Sequence, residues 1–214
     1  MRFIVTLTAF LACHIAVASE YDVHPTFELA KQGNVEAQYN LGMMYAKSDD
    51  VPKTEAVKWF RKAAGQGHAT AQHNLGVAYS HGLGVPENYA EALKWFRKAA
   101  DQGYAMSQYD LGVAYDTGRG VPENDAEAVK WFRKAADQGL ANAQYNLGHM
   151  YNSGEGVPEN NIRAYAWWSM AKTQGNAIAA NNIDIIKPDM TTQQIADGQA
   201  LATKCYESNY KDCD

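Results

Sequence analysis

Two short stretches place a serine three residues before a lysine, Ser169-Met170-Ala171-Lys172 and Ser208-Asn209-Tyr210-Lys211. On a helix that spacing brings both side chains to one face, where a lysine amine can take the proton of an attacking serine hydroxyl. The chemistry would be acyl transfer through a serine ester. The S-D-N and K-T-G companions of such enzymes are missing, and two specified residues recur readily by chance. His68, His73, His81 and His149 could offer imidazole to a metal. They form no H-x-x-x-H pair, no H-E-x-x-H motif and no cluster with cysteine, so neither a metal nor a cofactor is expected. A third group is basic: Lys58, Arg61 and Lys62 recur as Lys94, Arg97 and Lys98 and as Lys130, Arg133 and Lys134. Such a stripe suits anionic lipid or nucleic acid. However, Glu55, Glu91 and Glu127 precede its first lysines by three residues and can pair with them locally. With a net charge of −5 over 214 residues, the chain does not read as a nucleic-acid binder. The stripe reads as a solvated outer face.

That stripe belongs to a longer repetition. "WFRKAADQG" stands at Trp95–Gly103 and again at Trp131–Gly139, with "WFRKAAGQG" at Trp59–Gly67. Leu41-Gly42, Leu75-Gly76, Leu111-Gly112 and Leu147-Gly148 follow one another at intervals of 34, 36 and 36 residues, and Tyr45, Tyr79, Tyr115 and Tyr151 keep pace with them. Trp59, Trp95, Trp131 and Trp167 recur every 36 residues. A catalytic site is assembled once from scattered residues, whereas a period of this size indicates stacked supersecondary units.

Each unit divides into two helices. In "AQYNLGHMY" (Ala143–Tyr151), Gln144, Leu147, Gly148 and Tyr151 fall at i, i+3, i+4 and i+7 on one face. The glycine lowers helix propensity by about 1 kcal/mol against alanine, so its recurrence predicts the close approach of a neighbouring helix. In the second helix Ala92, Trp95, Phe96 and Ala99 share a face, and Trp95 and Trp131 should be largely buried there. Between the two lies "GLGVPEN", "GRGVPEN" or "GEGVPEN". Its glycines suit a helix end and its proline ensures that the first helix stops. Asn88, Asn124 and Asn160 then stand at the N-cap, with Glu91 and Glu127 three residues on as in a capping box.

The combined pattern, A-x-x-x-L-G-x-x-Y followed by G-x-G-V-P-x-N and W-F-R-K-A-A-x-Q-G, resembles the Sel1-like repeat, a relative of the tetratricopeptide repeat. The resemblance implies an all-α fold, a right-handed α/α superhelical solenoid of helix-turn-helix repeats that scaffolds contacts between proteins. It divides the chain into a signal peptide at 1–18, a half-repeat cap at 19–36, four repeats over 37–175 (37–68, 69–104, 105–140 and 141–175), and 176–214 as a degenerate repeat, capping helix and disulfide loop. One branch of the family binds and hydrolyses β-lactams, which makes a cell-wall or β-lactam hydrolase the alternative. That branch is rich in cysteine within each repeat, and this chain has none there.

Three departures from the pattern mark the ends. The first repeat reads "AKSDDVPKTEA" where the others have two turn glycines, so its turn must differ. The fourth replaces Arg-Lys by Ser169-Met170 and should offer an apolar outer surface. "NNIDIIKPD" has Asp184 at the glycine position, after which Thr191 should cap a helix carrying Ile195, Leu201 and Ala202 over the last open face. "FELAKQG" (Phe27–Gly33) looks like a worn half-repeat at the start.

The inner face of the first helices is the expected binding surface. Glu36, Met43, Thr70, Val77, Met106, Val113 and Asn142 should border it. At its centre the pattern places Tyr39 and Asn40, His73 and Asn74, Tyr109 and Asp110, and Tyr145 and Asn146, with His149 beyond. Tyrosine gives rigid amphipathic contact area, and an amide can both donate to and accept from a peptide backbone. The same residues could equally hold neighbouring repeats together. The expected partner is a protein or peptide bound in a concave groove, not nucleic acid.

The N-terminus carries Met1-Arg2, an apolar run over Phe3–Ala12 and small residues at Ala16-Val17-Ala18, the pattern of a cleavable signal peptide. Export to the periplasm or beyond is therefore expected, and Cys13 lies in a poor lipoprotein context. No segment approaches the roughly 20 apolar residues that span a bilayer. Cleavage leaves Cys205 and Cys213, an even pair suited to a disulfide in an oxidising compartment. The mature protein should begin at Ser19 or Glu20 with both cysteines bonded. Intact-mass analysis after alkylation without reductant checks both points; a retained Met1 or two alkylated thiols would overturn the export reading.

Overall fold

The computed structural model describes residues 25–213; the expected signal segment and Cys13 lie outside the described residues. All regular structure among the described residues is helical. A short α1 (Pro25–Lys31) precedes four helix pairs: α2 (Val35–Lys47) with α3 (Lys53–Gly65), α4 (Ala69–Ser80) with α5 (Tyr89–Asp101), α6 (Ala105–Thr117) with α7 (Asp125–Ala136), and α8 (Ala141–Ser153) with α9 (Asn161–Thr173). Then come α10 (Ala177–Ile186), a 3-10 turn over Lys187–Asp189 and α11 (Thr192–Glu207). Two compact units divide between Ala99 and Ala100, within α5.

Each pair is set by a glycine. A Cβ placed on Gly42 would lie 2.6 Å from the Phe60 ring, on Gly76 2.6 Å from Phe96, on Gly112 2.5 Å from Phe132, and on Gly148 2.6 Å from Trp168. The second helix therefore rests an aromatic ring directly on the backbone of the first. Leu41, Leu75, Leu111 and Leu147, one residue earlier, are all completely buried.

Successive pairs are joined by a ladder of glutamines. The Gln38, Gln72, Gln108 and Gln144 side chains are buried, and each Nε2 donates to a carbonyl eight residues back, on Ala30, Ala64, Ala100 and Ala136, at 3.1 to 3.3 Å. The glutamine that ends a second helix completes the rung. Gln66, Gln138 and Gln174 donate to the Oε1 of Gln38, Gln108 and Gln144 at 2.8, 2.7 and 2.9 Å.

The turns differ from expectation in one bond. Asn88, Asn124 and Asn160 do cap the second helices, their Oδ1 accepting from the N–H of Glu91, Glu127 and Arg163 at 3.0, 3.1 and 3.0 Å. The reciprocal half of a capping box does not form. The N–H of each cap asparagine instead donates to Tyr79, Tyr115 or Tyr151 O in the first helix, at 2.8, 2.9 and 2.7 Å. With that donor satisfied, Glu91 and Glu127 pair with Lys94 and Lys130. The second turn glycine has a separate reason. Gly84 has φ +72°, and a Cβ there would sit 2.5 Å from the Lys53 carbonyl carbon of the preceding repeat; Gly156, at φ +69°, abuts Asp125 in the same way. In the glycine-free first turn, Lys53 Nζ ties the end of α2 by donating to Ala46 O at 2.9 Å and Ser48 O at 2.7 Å.

Trp131 is 3% exposed, as expected, and Trp59 and Trp167 are likewise buried. Trp95 is only half-buried. Lys62, Lys98 and Lys134 hold their ammonium groups 4.2, 4.2 and 4.0 Å above Trp59, Trp95 and Trp131. Trp59 gains further cover from the Phe27 ring at 6.1 Å, and Trp167 from the Arg133 guanidinium at 5.0 Å.

The C-terminal end also corrects an expectation. Met170 is 2% exposed, inside the core cluster that holds Cys205 and Cys213, so the fourth repeat does not present it as an apolar outer surface. Thr191 caps α11 through a complete capping box with Gln194. The helix packs on α9 through Gly198, which meets the Tyr165 ring, and through Ile195 and Ala202, while Leu201 is half-buried. Cys205 and Cys213 form a disulfide.

Gly112→Ala should lower stability by about 1–3 kcal/mol through overpacking against Phe132, despite the better helix propensity of alanine. Gly65→Ala is the control: its Cβ would meet nothing within 4 Å, so the change should be neutral or stabilise by up to about 1 kcal/mol. Urea denaturation of both variants checks the contrast.

Candidate functional site

The inner-face positions of α2, α4, α6 and α8 are held by the packing just described, because each lies within a turn of the buried Leu-Gly pair. In the first unit Tyr39 is half-buried and Asn40 exposed. The Tyr39 ring tilts against Phe60 at 6.3 Å and stacks on His68 at 4.5 Å and 19°. His68 Nδ1 accepts from the N–H of Ala71 at 3.2 Å, capping α4. That leaves the proton on Nε2, which lies 3.2 Å from Glu36 Oε2. His73 is buried, with its ring 5.7 Å from Phe96. Burial lowers its pKa from 6.5 to about 4, so it is neutral near pH 7. Asn74 Nδ2 reaches Met43 Sδ at 3.2 Å, linking the inner faces of α2 and α4.

In the second unit Tyr109 is half-buried against Phe132 at 5.9 Å. Burial, then the neighbouring Asp110 charge, pushes its phenol above the ordinary value, and a hydrogen bond with Asn146 opposes this. Tyr109 and Asn146 are thus brought together across α6 and α8. Tyr145 is half-buried, and its carbonyl accepts from Trp168 Nε1 at 3.0 Å. His149 is exposed, with Nδ1 3.8 Å from Glu155 Oε2. Nearby Asp116 has its carboxyl raised above the usual range, first by burial and then by Asp125 and Glu155, with His149 opposing.

The outer cations are occupied by their own repeat or the next one. Lys58, Lys94 and Lys130 pair with Glu55, Glu91 and Glu127, and the second lysine of each group lies over its tryptophan. Arg61 donates to Tyr79 OH at 3.1 Å, and Arg133 and Arg163 both donate to Tyr151 OH. The Ser-x-x-Lys serines are also engaged. Ser169 Oγ donates to Tyr165 O at 2.7 Å, and Ser208 Oγ donates to Cys205 O at 2.9 Å while accepting from the Lys211 and Asp212 amides. Neither hydroxyl proton points to a lysine. No group of three or more potential ligands is placed to hold a metal among the described residues, and no described helix is long and apolar enough to cross a membrane.

The sequence pattern puts Gln144 on the packing face but does not show its partners: a glutamine in a helix is ordinarily solvated, and only the facing carbonyl explains its burial.

The Sel1 repeat profile matches residues 35–68, 69–104, 105–140 and 141–176. Among solved structures the chain is similar to c5321, a protective antigen present in uropathogenic Escherichia coli that displays an SLR fold. The two are 38% identical with a TM-score of 0.77, over 85% of this chain and 40% of that one. It is also similar to a Sel1 repeat protein from Oxalobacter formigenes, 36% identical with a TM-score of 0.69, over 75% of this chain and 48% of the other. The chain therefore matches less than half the length of each. No curated protein matches it.

The buried, neutral His73 makes stability depend on pH. As pH falls from 6.5 toward about 4, the unfolded chain takes up a proton that the folded chain refuses, so stability declines across that window and levels off below it. His73→Tyr, the residue of the other three first helices, should remove this component. The urea midpoint of the variant relative to wild type should rise between about pH 7 and about pH 4.5; a constant difference would refute the assignment.

Proposed function

Because the chain belongs to the Sel1 repeat family, we propose that it is an exported scaffold that binds a protein or peptide along the inner face of its first helices. The observation that carries this reading is the recurrence of an aromatic or imidazole side chain followed by an amide or carboxylate at one register position, Tyr39-Asn40, His73-Asn74, Tyr109-Asp110 and Tyr145-Asn146. Seven of these eight side chains keep partial or full exposure, His73 being the exception. The contacts Asn74–Met43 and Tyr109–Asn146 join the first helices of consecutive repeats, so within each unit a partner would meet a connected strip. The outer face offers less, since its arginines and lysines are engaged with tyrosine, tryptophan and glutamate of the fold itself.

Export is supported by the signal-like N-terminus and is compatible with the Cys205–Cys213 disulfide. The hydrolase alternative draws no support from the serines, whose hydroxyls are bonded to backbone carbonyls. Absence of nitrocefin turnover by the purified mature chain would dispose of the β-lactamase form of it.

A partner recovered by crosslinking in the native compartment provides the test of the surface. Tyr109→Ala should weaken its binding about tenfold or more, as truncation of a central aromatic anchor does. Arg97→Ala with Lys98→Ala, on the outer face, should change it little. The reverse ranking, with binding abolished by salt and by the charge variants, would move the functional surface to the outside.

A further inference from the structure

The first unit holds an apolar pocket of about 250 Å³ walled by Met43, Ala46, Phe60, Val77, Ala78 and Leu83, from α2, α3, α4 and the turn after α4. A cavity of about 150 Å³ in an apolar core already admits benzene, so one large side chain fits. We propose that the pocket takes a single methionine- or leucine-sized apolar side chain of the partner, and so selects which partners the first unit accepts. The inference rests on the inner-face reading, because Met43, Asn74 and Val77 belong both to that strip and to the pocket.

The second unit shows what belongs in such a space. Two 36-residue periods after Ala56, Phe60 and Ala78 stand Ala128, Phe132 and Met150. Met150 is 2% exposed and lies in one core cluster with Ala128 and Phe132. In the first unit an alanine stands at that position, so the chain does not supply the rest of the methionine side chain, and the pocket lies against Ala78. Interiors are otherwise closely packed. The pocket is not a sealed void either, since Met43 and Val77 are half-buried and Leu83 is 50% exposed. A side chain from outside can therefore enter and take the part that Met150 plays in the second unit.

The remaining lining favours an apolar occupant. Lys53 Nζ is turned back on α2, donating to Ala46 O and Ser48 O at 2.9 and 2.7 Å, and Asn74 Nδ2 is held on Met43 Sδ at 3.2 Å. A polar end group pushed between Phe60, Ala78 and Val77 would lose its water without equivalent bonds in return. The Met43 thioether is soft and adaptable, which suits an aliphatic or thioether group against the Phe60 ring. This character is particular to the first unit. Where it has Ala46, Val77 and Leu83, the second has Asp116, His149 and Glu155.

NMR titration of the mature chain, isotope-labelled at its methionine methyls, tests this with N-acetylmethioninamide, N-acetylleucinamide and the polar N-acetylglutaminamide. The two apolar amides should shift the Met43 methyl resonance saturably at about millimolar concentration, the range for so small a ligand. The glutamine amide should not. Ala78→Met, which copies Met150, should keep or raise thermal stability as a cavity-filling change and abolish the shift. Leu83→Ala, at an exposed position, should weaken the apolar amides about threefold or more, and Tyr109→Ala, in the other unit, should leave them unaffected. The partner recovered by crosslinking should bind Ala78→Met about tenfold more weakly. Partner affinity indifferent to Ala78→Met while the amides still bind would overturn the proposal and leave the inner-face reading to its own Tyr109→Ala test. Absence of a shift at about 50 mM of either apolar amide, far above the expected range, would overturn it as well. An equal shift from the glutamine amide, or a shift indifferent to both pocket substitutions, would do the same. Concentration-dependent self-association abolished by Ala78→Met would assign the pocket to a second copy of the chain and likewise overturn it.

Discussion

An aromatic ring seated on a helical glycine fixes the separation of the two helices in every pair, and the rest of the packing follows from that distance. The ring takes the volume that a Cβ would need, which lets the second helix approach until Ala56, Ala92, Ala128 and Ala164 are 2% exposed or less. Interiors packed this closely tolerate neither an added methyl nor a missing ring without loss. The fourth repeat shows how the constraint admits variation. Trp168 replaces phenylalanine on Gly148, and its additional N–H, which would be costly if buried alone, finds Tyr145 O.

Stacking of one pair on the next uses a polar device. Alanine against alanine would slide with little penalty, whereas a buried glutamine has directional bonds in one register only. Gln144 is completely buried, yet both ends of its amide are satisfied, by Ala136 O and by Gln174. This explains why the nonapeptide ends in Gln-Gly: the glutamine reaches the rung while the glycine turns the chain into the next first helix.

The basic residues that invite a nucleic-acid or lipid reading are structural for the same reason. Arg61 and Arg133 extend from one second helix to the tyrosine hydroxyl of the next repeat, and the lysines over Trp59, Trp95 and Trp131 shield rings that would otherwise face water. Variation is left to the inner positions, where the chain departs from strict repetition: His73 among tyrosines, Asp110 among asparagines, His149 beside Glu155. A scaffold of recurring joints with a varied inner strip is consistent with a role in contacts between proteins.

The period, the helix pairs, the asparagine caps and the cysteine pair were all legible in the sequence, because each depends on residues near one another in the chain or on their exact recurrence. The recurring glycine announced a close approach but not which ring would fill it. Contacts between residues far apart were decided only by the tertiary structure. Whether the cap asparagine's N–H bonds to a glutamate three residues ahead or to Tyr79, Tyr115 or Tyr151 nine residues back depends on where the first helix ends in space. The burial of Met170 depends on the packing that gathers it into one cluster with Cys205 and Cys213, and the neutrality of His73 on its burial. Local pattern specifies which groups need partners; only the assembled chain determines which partners come within reach.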